Sequence, residues 1–303
     1  MNIRLDNAVA VVTGSGNGLG REYALYLAKL GAKVIVNDIG VALNGDLTGE
    51  SPAQKVVNEI VHAGGTAVAS TDSVTSMDSA QRIMQTALDH FGRIDILVNN
   101  AGILRDRTLL KMEEAEFREV LDVHLLGAYF TTKAALPTMV EQQYGRIVLT
   151  TSQSGMYGAF GQTNYGAAKL ALVGFANSAK LELGKKNINI NCIAPSALTR
   201  MTESLVDEVM AGLLQPDYVA PMVAYLCSKV CDFSGEILAA GGNHFAVNRM
   251  VQGLGVNFGA DVPSIDDIAA NMKQIRSLEQ VSTFDSGPEH LNSLLKHRLP
   301  TQA

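Results

Sequence analysis

A strand that runs straight into glycines, and from them into a helix, constrains this 303-residue chain more than any other stretch. Residues 8–13 (Ala-Val-Ala-Val-Val-Thr) are apolar and β-branched, as in a strand buried on both faces. Glycines 14, 16, 18 and 20 follow at once. From Leu19 the positions Tyr23, Tyr26, Leu27 and Leu30 recur with helical spacing until Gly31. Such a turn aims backbone N–H groups and a helix N-terminus at a phosphate. Glycine serves because a Cβ would obstruct the turn or the phosphate. The spacing is Gly14-x3-Gly18-x-Gly20, not G-x-G-x-x-G, since Leu19 stands where that pattern requires glycine. A turn without a ligand is the competing reading, and the next strand weighs against it.

That strand, residues 33–37 (Lys-Val-Ile-Val-Asn), ends at Asp38, twenty residues after Gly18. A carboxylate there can accept both ribose hydroxyls of NAD and would repel the 2′-phosphate of NADP. Asn17 and Ile39 offer no compensating positive charge, and Arg21 lies just inside the helix. The expected cofactor is therefore NAD.

A second constellation carries reaction chemistry. Residues 146–151 (Arg-Ile-Val-Leu-Thr-Thr) read as another buried strand, followed by Ser152; Tyr165 comes thirteen residues later and Lys169 four after that. The run Ala167, Ala168, Leu170, Ala171, Leu172 suits a helix, which sets Tyr165 and Lys169 on one face. A free phenol titrates near about 10, too high for a base at neutrality. A nearby ammonium and an oxidised nicotinamide would both favour the phenolate. Ser152 could hold a substrate oxygen against the Tyr165 hydroxyl. The expected catalytic set is Ser152, Tyr165 and Lys169, for hydride transfer to or from an alcohol carbon.

These motifs together resemble the short-chain dehydrogenase/reductase family, which pairs TGxxxGxG with NNAG and S-x12-YxxxK. NNAG is present as Asn99-Asn100-Ala101-Gly102 after the strand Ile94–Val98. The resemblance covers about residues 5–245 and implies an α/β fold with a doubly wound, parallel, seven-stranded sheet. It further implies that Gly14, Ser15, Asn17, Gly18, Leu19, Gly20, Asp38, Asp72, Ser73, Asn100, Ala101, Gly102, Tyr165, Lys169, Ile193 and Pro195 contact the cofactor. Asp72, ending the strand Thr66–Ser70, would meet the adenine amine, and Ile193 and Pro195 would lie near the nicotinamide.

Longer stretches (Val36-Asn37-Asp38 with the polar loop 40–51, Asn100–Arg107, Ser154–Tyr165, Ile193–Thr202) are similar to the (3R)-hydroxyacyl-CoA dehydrogenase branch of the family. That branch implies oxidation of a (3R)-hydroxyacyl-CoA to a 3-oxoacyl-CoA, in a stand-alone dehydrogenase. A hydroxysteroid or steroid-CoA alcohol is the alternative substrate, because Met156, Tyr157, Phe160, Met201 and Leu205 are apolar enough for either. A non-catalytic NAD-binding protein would be expected to lack Ser152, Tyr165 or Lys169. Many members carry asparagine in an N-x-x-G context before the catalytic strand, and there it is thought to hold a water in a proton relay. Here the stretch is Val123-His124-Leu125-Leu126-Gly127. His124 could serve directly, through its backbone carbonyl, or simply as a satisfied core histidine, and it stays outside the expected catalytic set.

The remaining chain sets bounds. At 303 residues and 47% apolar it can bury a large single core. Strand and helix patterns alternate from residue 8 to about 193, and Ile237–Ala240 would supply the last strand. We expect a dehydrogenase domain over 1–245 and an extension over 246–303, a cap for the substrate cleft or a subunit contact. Within it, 264–298 holds two charged helical stretches parted at Ser286-Gly-Pro288. No apolar run is long enough for a bilayer, no leader pattern precedes the glycine turn, and Thr-Gln-Ala at the end is no peroxisomal address. Cys192, Cys227 and Cys231 include no C-x2-C pair and fit reduced thiols in a cytoplasm. The six histidines are scattered, so no metal is expected. A net charge of −6 opposes nucleic acid as a partner. It also makes binding of an anionic CoA depend on local basic groups, for which Arg105, Arg107 and Lys111 are candidates, unless they are a solvated cluster. The family resemblance implies a homodimer or homotetramer through the helix near Glu113 and the one carrying Tyr165.

Overall fold

The computed structural model describes residues 2–40, 51–197 and 212–295. Most of the polar loop 40–51, the end of the run 193–202, and Met201, Leu205 and His297 lie outside them. Two compact units emerge, 1–247 and 248–303.

The first unit is built on eight strands: β1 (Val9–Thr13), β2 (Lys33–Asn37), β3 (Thr66–Ser70), β4 (Ile96–Asn99), β5 (Gly145–Thr150), β6 (Ile188–Pro195), β7 (Ile237–Gly241) and β8 (His244–Asn248). They lie in the order β3-β2-β1-β4-β5-β6-β7-β8. The first seven pair in parallel throughout, as the resemblance implies. The eighth was not expected. Gly242 and Asn243 both have left-handed backbones (φ +55° and +58°). Two such residues make the turn whose twist matches a hairpin, so β8 returns antiparallel along β7.

The described helices are α1 (Gly18–Lys29), α2 (Pro52–His62), α3 (Met77–Phe91), α4 (Glu114–Leu121), α5 (Gly127–Gln142), α6 (Gln153–Tyr157), α7 (Thr163–Leu183) and α8 (Ala220–Leu226). A π-helical turn, Asp122–Leu126, joins α4 to α5. Alternate strand residues feed two cores. Ala10, Val12, Val34 and Val36 pack with Tyr23, Leu27, Val56 and Val223 of α1, α2 and α8. Val9, Val11, Ile35 and Leu97 belong to the opposite core with Ile83, Met139 and Leu172 of α3, α5 and α7.

At the bottom of the sheet Asp95 is buried, accepts the Val9 N–H at 2.9 Å and is held by both ends of the Arg93 guanidinium. Asp95→Ala would strand a buried donor, and a loss of roughly 1–3 kcal/mol is expected in urea unfolding. An unchanged midpoint would show that water reaches the Val9 amide.

Because the order reverses between β1 and β4, their C-terminal ends open a crevice at the topological switch point. The glycine turn follows β1, Asn99–Gly102 ends and follows β4, Ser152 follows β5, and Pro195 ends β6. One edge of the sheet thus gathers every sequence-predicted motif.

The second unit holds an antiparallel ribbon of β9 (Gln252–Gly253) and β10 (Val281–Ser282) and two helices, α9 (Ile265–Ile275) and α10 (Gly287–Leu295). Ser264 and Asp267 form a capping box at the start of α9. Both helices of the extension are present, and Ser286-Gly-Pro288 marks the start of the second.

Candidate active site

The glycine turn is set by backbone and by one threonine. Gly14 and Gly18 have φ of +61° and +53°, and a Cβ on Gly14 would stand 2.6 Å from Ala101 Cα. Thr13 Oγ1 accepts the N–H groups of Asn100 and Ala101 at 3.0 and 3.1 Å. The Asn100 amide donates to the carbonyls of Thr13 and Gly14 at 3.1 and 2.9 Å. Asn100 therefore clasps the turn. Neighbouring Asn99 does the equivalent for α5, donating to Thr132 Oγ1 at 3.1 Å and accepting from Thr131 Oγ1 at 2.6 Å.

The arrangement fits a dinucleotide. The α1 helix starts behind Asn17, whose side chain caps none of its N–H groups. Those donors and the helix dipole are what an anion needs. Asp38 closes the adjoining lip, accepting from Gly16 N–H and Gly40 N–H, each at 2.9 Å. A Cβ on Gly16 would come within 2.8 Å of its Oδ2. Arg21 is committed elsewhere, paired with Glu22 and Glu59.

Other expected contacts turn inward. Ser15 is buried and donates to Val12 O at 2.7 Å, Leu19 packs on the core, and Ile193 is fully buried in β6. Asp72 pairs with Arg82 at 2.6 Å, while its carbonyl accepts from the Asn37 amide at 2.8 Å. Ser73 shares a hydrogen bond with Thr75.

Across the crevice, α6 lies directly on α7 because Gly155 has no side chain; a Cβ there would meet Leu170 N at 2.8 Å. This brings Ser152, which caps α6, to the Tyr165 hydroxyl. Burial pushes the Tyr165 phenol above its ordinary value; the Ser152 hydrogen bond acts against that, and the charge of Asp106 adds to it. Lys169 is 3% exposed, its Nζ lies 5.5 Å from the Tyr165 ring centre, and it donates to Thr150 O. Burial lowers its ammonium to about 7. Thr151, likewise buried, donates to Lys169 O at 2.6 Å and fixes the backbone of that turn.

This lysine makes the stability of the fold pH-sensitive. The unfolded ammonium keeps a value near 10.5, so folding disfavours its proton. The penalty is fully present below about 7 and fades as pH rises towards 10.5. Between about pH 7 and about pH 9, stability should rise more for the natural chain than for Lys169→Met. Equal slopes in denaturant titrations of the two would contradict this.

His124 is buried beside the pair. Its ring meets Tyr165 edge-on at 5.2 Å and 86°, and Gly102 makes room, since a Cβ there would lie 2.3 Å from His124 Cε1. Burial and the Lys169 charge hold its pKa well below the ordinary histidine value. The motifs did not single out Thr150, Thr151 or Asp106. Strand-end threonines carry no periodic signal, and Asp106 reaches the site because its neighbours are held, Arg105 O by the Asn164 side-chain amide and Arg107 N–H by Gly161 O.

The basic cluster expected for an anionic substrate is different in space. Arg105 is bound at both ends to Glu119 at 2.8 Å, and Arg107 to Glu116 at 2.7 Å. Facing acids on α4 neutralise them, leaving Lys111 outside these pairs. Tyr157 and Phe160, 74% and 93% exposed, flank the crevice as apolar surface.

Comparison with known proteins accords with this geometry. The model of the family described as short chain dehydrogenase matches residues 8–209. The chain is 45% identical over 292 residues to peroxisomal multifunctional enzyme type 2 of Drosophila melanogaster, covering 96% of this chain and 48% of that one. The solved full-length structure of that enzyme superposes with a TM-score of 0.82 at 37% identity, over 97% of this chain and 50% of the other. The chain thus spans about half the length of this relative. A short-chain type dehydrogenase/reductase of Mycobacterium tuberculosis is 48% identical over 274 residues, 90% of this chain and 96% of that one. A 7α-hydroxysteroid dehydrogenase solved with NADH and 7-oxo glycochenodeoxycholic acid matches at TM-score 0.72 and 30% identity, over 80% and 95% of the two chains. Among the described residues no helix is long and apolar enough to cross a membrane, and no three His, Cys, Asp or Glu side chains are grouped so as to hold a metal ion. With its glycine turn, Asn99–Gly102 and Ser152, Tyr165 and Lys169 around one crevice, the chain belongs to the short-chain dehydrogenase family and is an oxidoreductase that uses a nicotinamide dinucleotide.

Proposed function

We propose that the chain oxidises the secondary alcohol of a (3R)-hydroxyacyl-CoA to a 3-oxoacyl-CoA with NAD. Similarity to the multifunctional enzyme carries the substrate reading, because it runs through 96% of the chain, past residue 209 where the family model ends. The cofactor reading is supported by Asp38 at the lip of the glycine turn and by Arg21, which Glu22 and Glu59 keep from a 2′-phosphate.

Ser152 Oγ and the Tyr165 hydroxyl together orient the substrate oxygen, and Tyr165 takes its proton. When bound, oxidised nicotinamide accepts the hydride and adds a positive charge that favours the phenolate. Lys169 adds a second positive charge while it holds its proton. Asp38, Asn100 and the α1 N-terminus hold the nucleotide in place.

A homodimer or homotetramer is supported by apolar side chains left bare on the helical faces, among them Tyr129 of α5 and Leu170 and Leu181 of α7. Three free, buried thiols accord with a cytoplasmic setting. The extension 246–303 we read as a cap for the substrate cleft or a subunit contact.

A hydroxysteroid substrate is the second reading, favoured by the bile-acid complex of the 7α-hydroxysteroid dehydrogenase and by exposed Tyr157 and Phe160. The test is NADH formation by the purified protein with a medium-chain (3R)-hydroxyacyl-CoA and a 17β-hydroxysteroid side by side, each with NAD and with NADP. Turnover dominated by the CoA ester with NAD is expected. Dominant steroid turnover would replace the substrate reading, and a preference for NADP would overturn the role given to Asp38.

A further inference from the structure

The segment that follows Asn99–Gly102 carries its charges on alternate sides. Arg105 and Arg107 are bound to Glu119 and Glu116 of α4. A parallel bridge joins Arg107 to Gln162, and Arg107 N–H donates to Gly161 O at 2.8 Å. Alternation along such an extended stretch turns Asp106 the other way. Its Oδ2 accepts from the Gln162 side chain at 2.8 Å, at the residue just before α7 and three positions ahead of Tyr165. Buried Asn164 ties the two elements together, donating to Arg105 O at 2.9 Å and accepting the Tyr165 N–H at 2.8 Å. No cation among the described residues pairs with Asp106, and residues 105–119 hold five acids against four bases.

Asp106 is thus an unneutralised, exposed carboxylate near enough to Tyr165 for its charge to oppose ionisation of the phenol. For turnover alone that is a handicap, because Tyr165 must give up its proton to act as a base. The same field acts on any anion placed beside the phenol. We propose that Asp106 is a specificity-determining residue: it turns away alcohols with a carboxylate next to the reacting carbon and admits those with a neutral acyl group. In a free 3-hydroxy acid the carboxylate carbon is two bonds from the carbinol carbon, so its charge lies within a few ångströms of the Tyr165 oxygen. In a thioester, sulfur replaces the charged oxygen, and the phosphates of a CoA stand at the far end of the pantetheine arm. The other groups facing the phenol are Lys169 on the same helix, His124 of the π turn and Ser152 before α6. Lys169 and an oxidised nicotinamide attract a phenolate and a carboxylate alike. His124 is held neutral, which leaves Asp106 as the one negative charge recorded against Tyr165 among the described residues. Because Asp106 is exposed, salt and solvent screen it, and its discrimination is several-fold.

The inference rests on alcohol oxidation at Tyr165, not on which alcohol is used. Its test is kcat/KM with NAD for (3R)-hydroxyoctanoate and its methyl ester, which differ at the carboxyl group alone. The natural chain should prefer the ester by more than about tenfold, and about 0.5 M salt should shrink that preference. Asp106→Asn keeps an acceptor for Gln162 without the charge, and should cut the ester-to-acid ratio by about fivefold. Asp106→Glu should restore most of it. Misplacement of Tyr165 would slow both substrates together, so a merely structural role leaves the ratio alone. A ratio unmoved by Asp106→Asn, or a natural chain that takes the free acid as readily as the ester, would overturn the proposal. If neither compound is oxidised, alcohol oxidation at Tyr165 fails, and a second readout without substrate still judges Asp106. This is ¹³C NMR of the tyrosine-labelled protein with NAD bound, the Tyr165 signal being identified with Tyr165→Phe. Asp106→Asn should lower the Tyr165 titration by about half a pH unit, and an unmoved titration would sink the inference. Should Asp106→Asn fail to fold, the natural chain decides: an ester preference indifferent to salt counts against Asp106.

Discussion

Tyr165→Phe is expected to cut turnover by about 10²- to 10⁴-fold, the range of a general base removed, while nucleotide affinity stays within about twofold. The edge-on packing against His124 involves the ring alone, so the variant keeps its place in α7 and loses just the hydroxyl. Ser152 and Lys169 remain, and neither can take the substrate proton where Tyr165 does. Single-turnover NADH formation and nucleotide titration on the same preparation separate the two effects. Matched losses in both would mean that the phenol helps to build the cofactor site. Unaltered turnover would move the base elsewhere in the crevice.

Gly20→Ala carries the second large effect, at the other end of the cofactor. The added Cβ would fall 2.2 Å from Gly14 O, 2.5 Å from Asn100 Nδ2 and 2.8 Å from Ser15 Cα. Two of these are backbone atoms, and the third belongs to the amide that clasps the turn. No rotamer change relieves such contacts, so α1 must back away from β1. Overpacking of this kind costs roughly 1–3 kcal/mol in stability. We expect nucleotide binding to weaken by more than about tenfold, equivalent to about 1.4 kcal/mol, because the phosphate site is the displaced part. Calorimetric titration with NADH beside thermal unfolding checks both. A variant that binds as the natural chain does would show that the helix can shift without opening the turn.

The doubly wound sheet was legible because its strands are continuous apolar runs and its helices have clean periodicity; β1, β2 and β3 fall within a residue of where the pattern puts them. Ser152, Tyr165 and Lys169 were legible because one strand and one helix carry them at fixed spacing. What stayed hidden depends on contacts across the chain. Arg105 and Arg107 read as free cations until α4 brings Glu119 and Glu116 to them. Asn100 reads as a cofactor contact, and only the fold shows that its amide also donates to the carbonyls of Thr13 and Gly14. The eighth strand was signalled by Gly241-Gly242-Asn243, which is a hairpin turn only when an edge strand precedes it.

The π turn at Asp122–Leu126 has a consequence in helical phase. Val120 and Met139, both fully buried, stand nineteen positions apart. At about 100° per residue, an unbroken α-helix would carry Met139 about 100° beyond the direction of Val120. The extra residue accommodated in the wide turn takes that angle out. α5 therefore leaves the turn about 100° away from the phase that an unbroken continuation of α4 would give it, and from there Met139 reaches the core with Leu97 and Ile147. In phase terms the chain carries a one-residue insertion within Asp122–Leu126, taken up in the width of a single turn.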